Sequence, residues 1–154
     1  MLSANAVQKP TRRERLRYRR SQFSHHPTVL TYSADGEPWR GLPAARPLDG
    51  LGTEFALVPV VGHSRGHSAI AVDAGENGWL LHAGDAYFHR SALGKASKLS
   101  RHGAFFTGFE YLMAAHPGHM RDGHRKLAAL PSDITVFSAH DQDEFSRLTS
   151  RNND

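Results

Sequence analysis

Three short stretches set metal-capable side chains at the ends of apolar segments: Val61-Gly62-His63-Ser64-Arg65-Gly66-His67, His82-Ala83-Gly84-Asp85-Ala86 and Ser138-Ala139-His140-Asp141. Each follows a segment that reads as a β-strand, and loops at strand ends are where a rigid sheet can present ligands to a shared cleft. Glycine beside His63 and Asp85 lets the backbone turn sharply and approach a site closely. A histidine, a shared carboxylate and a second histidine suit divalent zinc, which takes nitrogen and oxygen donors and keeps an open position when catalytic. Taken singly, His63 reads as well as a turn residue, Asp85 as a cap and His140 as the lead-in to a helix. The trio in this order points to a metal.

Cysteine is absent, so thiolate zinc sites, disulfides and cysteine nucleophiles are excluded, and any metal must be held by His, Asp or Glu. Eleven histidines in 154 residues supply the commonest metal-binding side chain in surplus.

The elements that must position these residues follow from periodicity. Residues 55–61, 68–72 and 78–82 read as strands, the last two joined by the turn Asp73-Ala74-Gly75-Glu76-Asn77-Gly78. Residues 28–33 are rich in β-branched and aromatic side chains and predict a further strand ending in the Asp35-Gly36 turn, whereas residues 34–53 read as a loop with an exposed Trp39. Residues 90–103 read as a mobile polar segment. Phe105, Phe109, Leu112 and Met113 fall at helical spacing, Pro117-Gly118 interrupts that helix, and a second runs over residues 119–130. Residues 134–137 return as a short strand, and residues 141–148 close as a helix capped by Asp141. His82 is read as structural, and His116, His119 and His124 as surface residues, none of them as ligands.

With 39% hydrophobic and 22% charged residues, the composition is that of one globular domain. The longest apolar runs fall far short of the roughly 20 residues a membrane helix needs, and the first residues lack the order of a secretory signal, so a cytoplasmic location is expected. The net charge of +4 is uneven: residues 1–26 carry Lys9, Arg12, Arg13, Arg15, Arg17, Arg19 and Arg20 against Glu14 alone. A short basic helix is expected there, its arginines a solvated face. No RNA- or DNA-binding motif accompanies it, so nucleic acid is not expected as a partner.

The three motifs together resemble those of the metallo-β-lactamase-fold metallohydrolases: PVVGHSRGH resembles their P-G-H-T-x-G-H turn, LLHAGDAYF their G-D strand end and FSAHD their closing A-H-D. The match is best over residues 54–148 and loose over the basic segment. The resemblance implies an α/β (α+β) fold, the C-terminal half of an αββα metallo-β-lactamase sandwich, in one partial domain over residues 1–154. It implies His63, Asp85 and His140 as metal ligands, Asp85 as the catalytic carboxylate bridging two sites, and one or two zinc ions in the complete site. The reaction implied is hydrolysis of an ester- or lactone-type substrate by a metal-bound hydroxide. His67 and Asp141 become supporting residues that orient ligands, and Tyr87 and His89, just after the bridging carboxylate, could line the cleft.

The chain departs from the family where it matters most. The H-x-H-x-D-H loop that normally precedes this turn and supplies four ligands is missing, and His25-His26 is the one upstream histidine cluster. An open apolar sheet face is expected as a result. Three readings follow: a truncated form of a metallohydrolase; a non-catalytic half-domain that pairs with a missing N-terminal half or with itself as a homodimer; and, third, a nucleic-acid-binding protein.

Overall fold

Strands β1 (Glu37–Trp39), β2 (Leu42–Pro47), β3 (Phe55–Pro59), β4 (Ser68–Asp73), β5 (Trp79–His82) and β6 (Ile134–Phe137) hydrogen-bond in that order into one sheet. A computed structural model describes Arg15, residues 19–95 and residues 101–150. The ladder is antiparallel from β1 to β5, with Ala56 opposite Ala71 and Ala71 opposite Leu81. Strand β6 lies parallel to β5, Leu81 opposite Val136. Parallel neighbours need a long crossover, and here it carries helices α1 (Arg101–Met113) and α2 (Pro117–Ala128); a third helix, α3 (Gln142–Ser150), follows β6.

The two faces of the sheet differ. Alternation along each strand sends Ala56, Val58, Ala69, Ala71, Leu81, Ile134 and Val136 to one face, where they are buried with Leu127 of α2 and with Tyr87 and Leu93 of the crossover. On the other face Leu57 is buried with Tyr32 and Leu48, while Ile70, Val72 and Leu80 are half-buried. The open apolar face expected from the sequence is thus half-roofed. The fold is mixed α/β: one sheet with helices, two of the four layers of an αββα sandwich.

Several sequence expectations need correction. Residues 28–33 form no strand: Tyr32 makes an isolated bridge, and Val29 and Leu30 are exposed. Strand propensity needs a paired neighbour, and this segment is held instead through Tyr32, buried with Leu48 and Leu57. The supposed loop at 34–53 contains the hairpin β1–β2 instead. Its two-residue turn, Arg40 at φ 47° and Gly41 at φ 90°, has the doubly positive geometry favoured between twisted strands. Trp39 is half-buried, packed edge-on against Trp79 with ring centroids 5.2 Å apart.

Within residues 90–103, a 3-10 turn spans Arg90–Leu93 and α1 begins at Arg101, while residues 96–100 lie outside the described residues. Pro117 opens α2 rather than merely ending α1, since proline is preorganised for the first helical turn. Of the predicted basic helix, residues 12–14 and 16–18 lie outside the described residues, and Arg20–Phe23 form a 3-10 turn. No helix among the described residues is long and apolar enough to cross a membrane.

Candidate metal centre

The turns at the ends of β3 and β5 depend on two glycines. Gly62 adopts φ 152°, and α2 passes so close that a Cβ there would stand 2.6 Å from the Cα of Met120. Gly84 adopts a left-handed φ of 55°, and a Cβ there would stand 3.0 Å from the Nε2 of His67. Side chains strain such backbone, so both glycines follow from the geometry that presents His63 and Asp85.

His63, Asp85 and His140 come together. The Nε2 of His63 lies 3.5 Å from Oδ2 of Asp85, and the Nε2 of His140 is hydrogen-bonded at 3.0 Å to Oδ1 of the same carboxylate. Side-chain exposures of 40% for Asp85 and 50% for His140 leave the cluster open to solutes, with His63 deeper at 14%.

The residues expected to support or line the site are placed as follows. His67 donates from Nδ1 to the Val60 carbonyl at 2.8 Å and accepts the Asp85 N–H on Nε2 at 3.0 Å. Burial lowers its pKa, so the neutral tautomer required by these two bonds is also the favoured charge state. Asp141 spends its carboxylate on backbone amides, capping α3 through Asp143 and Glu144 and accepting the Arg90 N–H at 2.8 Å. Tyr87 does not line a cleft: it is fully buried, its hydroxyl donating to Glu144 at 2.9 and 3.1 Å. The strand has ended at His82, so the chain past Asp85 keeps no alternation, and Ala86 and Tyr87 are both buried. His89 caps the 3-10 turn that follows, accepting the Ser91 N–H at 3.1 Å.

His116 and His119 are exposed and His82 stacks on Phe137 with ring centroids 5.0 Å apart. His124, however, was wrongly expected at the surface: it is 5% exposed and donates from Nε2 to the Ala86 carbonyl at 2.8 Å.

Sequence reasoning missed three groups. Phe88 packs its ring 4.6 Å from that of His140 and 6.1 Å from that of His63. Glu110, fully buried, accepts the Phe88 N–H at 2.7 Å, and burial pushes its pKa up to about 7. Glu144, 8% exposed, accepts the Ser138 N–H at 2.9 Å as well as the Tyr87 hydroxyl, and its pKa is raised by burial. An acid inside the aromatic run of α1 was a usable sign of a buried carboxylate; Glu144 gave none, since it looks like an ordinary first-turn helix acid.

The donor types at Asp85 fit a divalent ion: two imidazole nitrogens converge on the two oxygens of one carboxylate. The arrangement is contracted, however, because the imidazoles reach the carboxylate itself, and among the described residues no group of three or more His, Cys, Asp or Glu is spread as an ion-holding set.

No family model matches the chain. Over 147 residues it is 42% identical to proteins named "Probable metallo-hydrolase" from Mycobacterium bovis and Mycobacterium tuberculosis, covering 90% of this chain and 44% of each relative. It is 33% identical over 95 residues to a hydroxyacylglutathione hydrolase of Cupriavidus taiwanensis, 62% of this chain and 28% of that one. Among solved structures it is similar to an N-acyl homoserine lactone hydrolase with N-hexanoyl-L-homoserine bound at its catalytic metal centre, at a TM-score of 0.56 and 14% identity over 93% of this chain and 45% of that one. The AiiA protein of B. thuringiensis, in a variant with N-decanoyl-L-homoserine bound, superposes equally well at a TM-score of 0.56.

The sheet and its helices therefore have the fold of metallo-β-lactamase-type enzymes, and the chain is similar in sequence over most of its length to proteins named metallo-hydrolases. It spans less than half the length of the curated relatives it matches.

Proposed function

We propose that the chain carries part of the zinc centre of a hydrolase acting on an ester- or lactone-type small molecule, as a truncated form of a longer enzyme. The observation that carries this reading is the meeting of His63 and His140, through Nε2, with opposite oxygens of Asp85. A divalent ion bound there would supply a nucleophile at neutral pH and polarise the electrophile. His63 and His140 would hold it by Nε2 and Asp85 by its carboxylate, while His67 fixes the backbone of Asp85 and Phe88 excludes water from the side of both imidazoles. Three ligands in an open site predict weak binding and little turnover by this chain alone. A cytoplasmic setting suits a chain without cysteine.

Zinc per chain after dialysis against a weak chelator tests this, comparing wild type with Asp85→Ala. One or more retained ions, lost on substitution, supports the reading; none retained by wild type overturns it for this chain.

One observation favours a second reading, a half-domain completed by another polypeptide. Phe105 and Leu112 of α1 are 67% and 77% exposed, with Phe106, Phe109 and Met113 of the same helix also exposed, and clustered exposed apolar side chains mark surfaces that meet a partner. Sedimentation across a concentration series would show self-association if the partner is a second copy. Nucleic-acid binding has no observation among the described residues in its favour.

A further inference from the structure

The loops that carry Asp85 and His140 belong to different strands, yet one buried side chain touches both. Glu144 of α3 accepts the hydroxyl of Tyr87, two residues after Asp85, and the N–H of Ser138, two residues before His140. Its carboxylate thus closes a short strut, Asp85 loop to Tyr87 to Glu144 to Ser138 to His140 loop. An ionisable group only 8% exposed is costly for mere packing, where leucine or methionine would fill the space more cheaply. The same segment is held from two further helices: His124 of α2 donates to the Ala86 carbonyl, and Glu110 of α1 accepts the Phe88 N–H. Peptide groups on both sides of Tyr87 are therefore pinned, and Glu144 is the member that also reaches the His140 side.

We propose that Glu144 is a positioning residue of the metal centre, the strut that sets the spacing between Asp85 and His140. Its role in metal binding rests on the assignment of these two residues as ligands; its role as a strut does not. Fixing the outer partners of ligands commonly changes metal affinity about 10–100-fold.

The test uses the full chain without added metal first. Amide hydrogen exchange is compared in wild type, Glu144→Leu and Glu144→Gln, the last keeping an acceptor for Ser138 and a polar partner for the Tyr87 hydroxyl. The strut predicts that Glu144→Leu speeds exchange at residues 85–88 and 138–140 together, about tenfold or more, with β3 and β4 unchanged, and that Glu144→Gln restores protection. Unchanged exchange in Glu144→Leu, or equal acceleration throughout the chain, overturns it.

Zinc affinity by chelator competition is then measured on the same proteins. A loss of about tenfold or more in Glu144→Leu with recovery in Glu144→Gln supports positioning of the ligands, and wild-type affinity in Glu144→Leu overturns that part. If wild type itself takes no zinc while the exchange result holds, the ligand assignment fails and the strut stands. Should Glu144→Leu fail to fold, Tyr87→Phe removes the hydroxyl link alone and is read in the same way.

Discussion

The Nε2 of His67 accepts the backbone N–H of Asp85 at 3.0 Å, tying the turn after β3 to the end of β5 through a single imidazole. Its other nitrogen is occupied by the Val60 carbonyl, so the ring has no lone pair left for a metal and holds the backbone beneath the carboxylate instead. His67→Ala strands one donor and one acceptor, each costing about 1–3 kcal/mol when unsatisfied. Stability should fall by roughly 2 kcal/mol or more, read as a lower urea midpoint with an unchanged slope. A change within about 0.5 kcal/mol would mean that water replaces both bonds.

Gly84→Ala should be costly out of proportion to its size. Its left-handed φ of 55° and the close Nε2 of His67 act together, and the conformational part alone is worth about 1–2 kcal/mol. Thermal unfolding checks this against Gly41→Ala, where positive φ occurs with nothing within 4 Å; the Gly84 variant should lose more.

Glu110 gives the chain a pH dependence of definite sign. Burial raises its pKa to about 7 from an ordinary 4.5. Between those values the unfolded chain releases a proton that the folded chain keeps, so stability falls as pH rises through this window and levels off above it, by about 3 kcal/mol at most. His124, 3.5 Å away, has its pKa lowered by burial from 6.5, so its contribution is lost in the opposite direction, as pH falls below that value. Glu110→Gln should remove the first slope alone: relative to wild type the variant gains stability between pH 5 and pH 8, measured by melting curves at several pH values. A parallel pH profile in both proteins would refute the assignment.

Trp39→Ala tests the hairpin that the sequence concealed. The indole packs on Trp79 with Arg40 over both rings, 5.9 and 5.8 Å from their centroids, and Arg40 also pairs with Asp133 across the sheet. Removing a half-buried tryptophan should cost about 2–3 kcal/mol and alter the fluorescence of Trp79. No loss of stability would mean that residues 37–47 behave as the loop their composition suggests.

Strands β3 to β6, helix α2 and the Asp141 cap were legible because each carried its own periodicity or turn chemistry within a few residues. The hairpin at Arg40-Gly41 was not, because three prolines and a glycine outweighed a short alternation, and the strand expected at residues 28–33 failed because propensity says nothing about whether a segment finds a partner strand. The convergence of His63, Asp85 and His140 could be anticipated from strand ends together with the family resemblance. The burial of Tyr87, His124 and Glu144 could not, since it depends on where helices from distant parts of the chain dock around residues 86–88.

The parallel pairing of β5 with β6 gives the centre a history as well as a shape. Fifty-one residues separate His82 from Ile134, and a contact so distant along the chain forms only after a large loop has been closed. Asp85 and His140 sit just past the ends of those two strands, so neither can meet the other before the final strand docks. Metal capture at this cluster would then report the last act of folding, and a nascent chain released before residue 140 would carry Asp85 with only one of its two imidazole neighbours made.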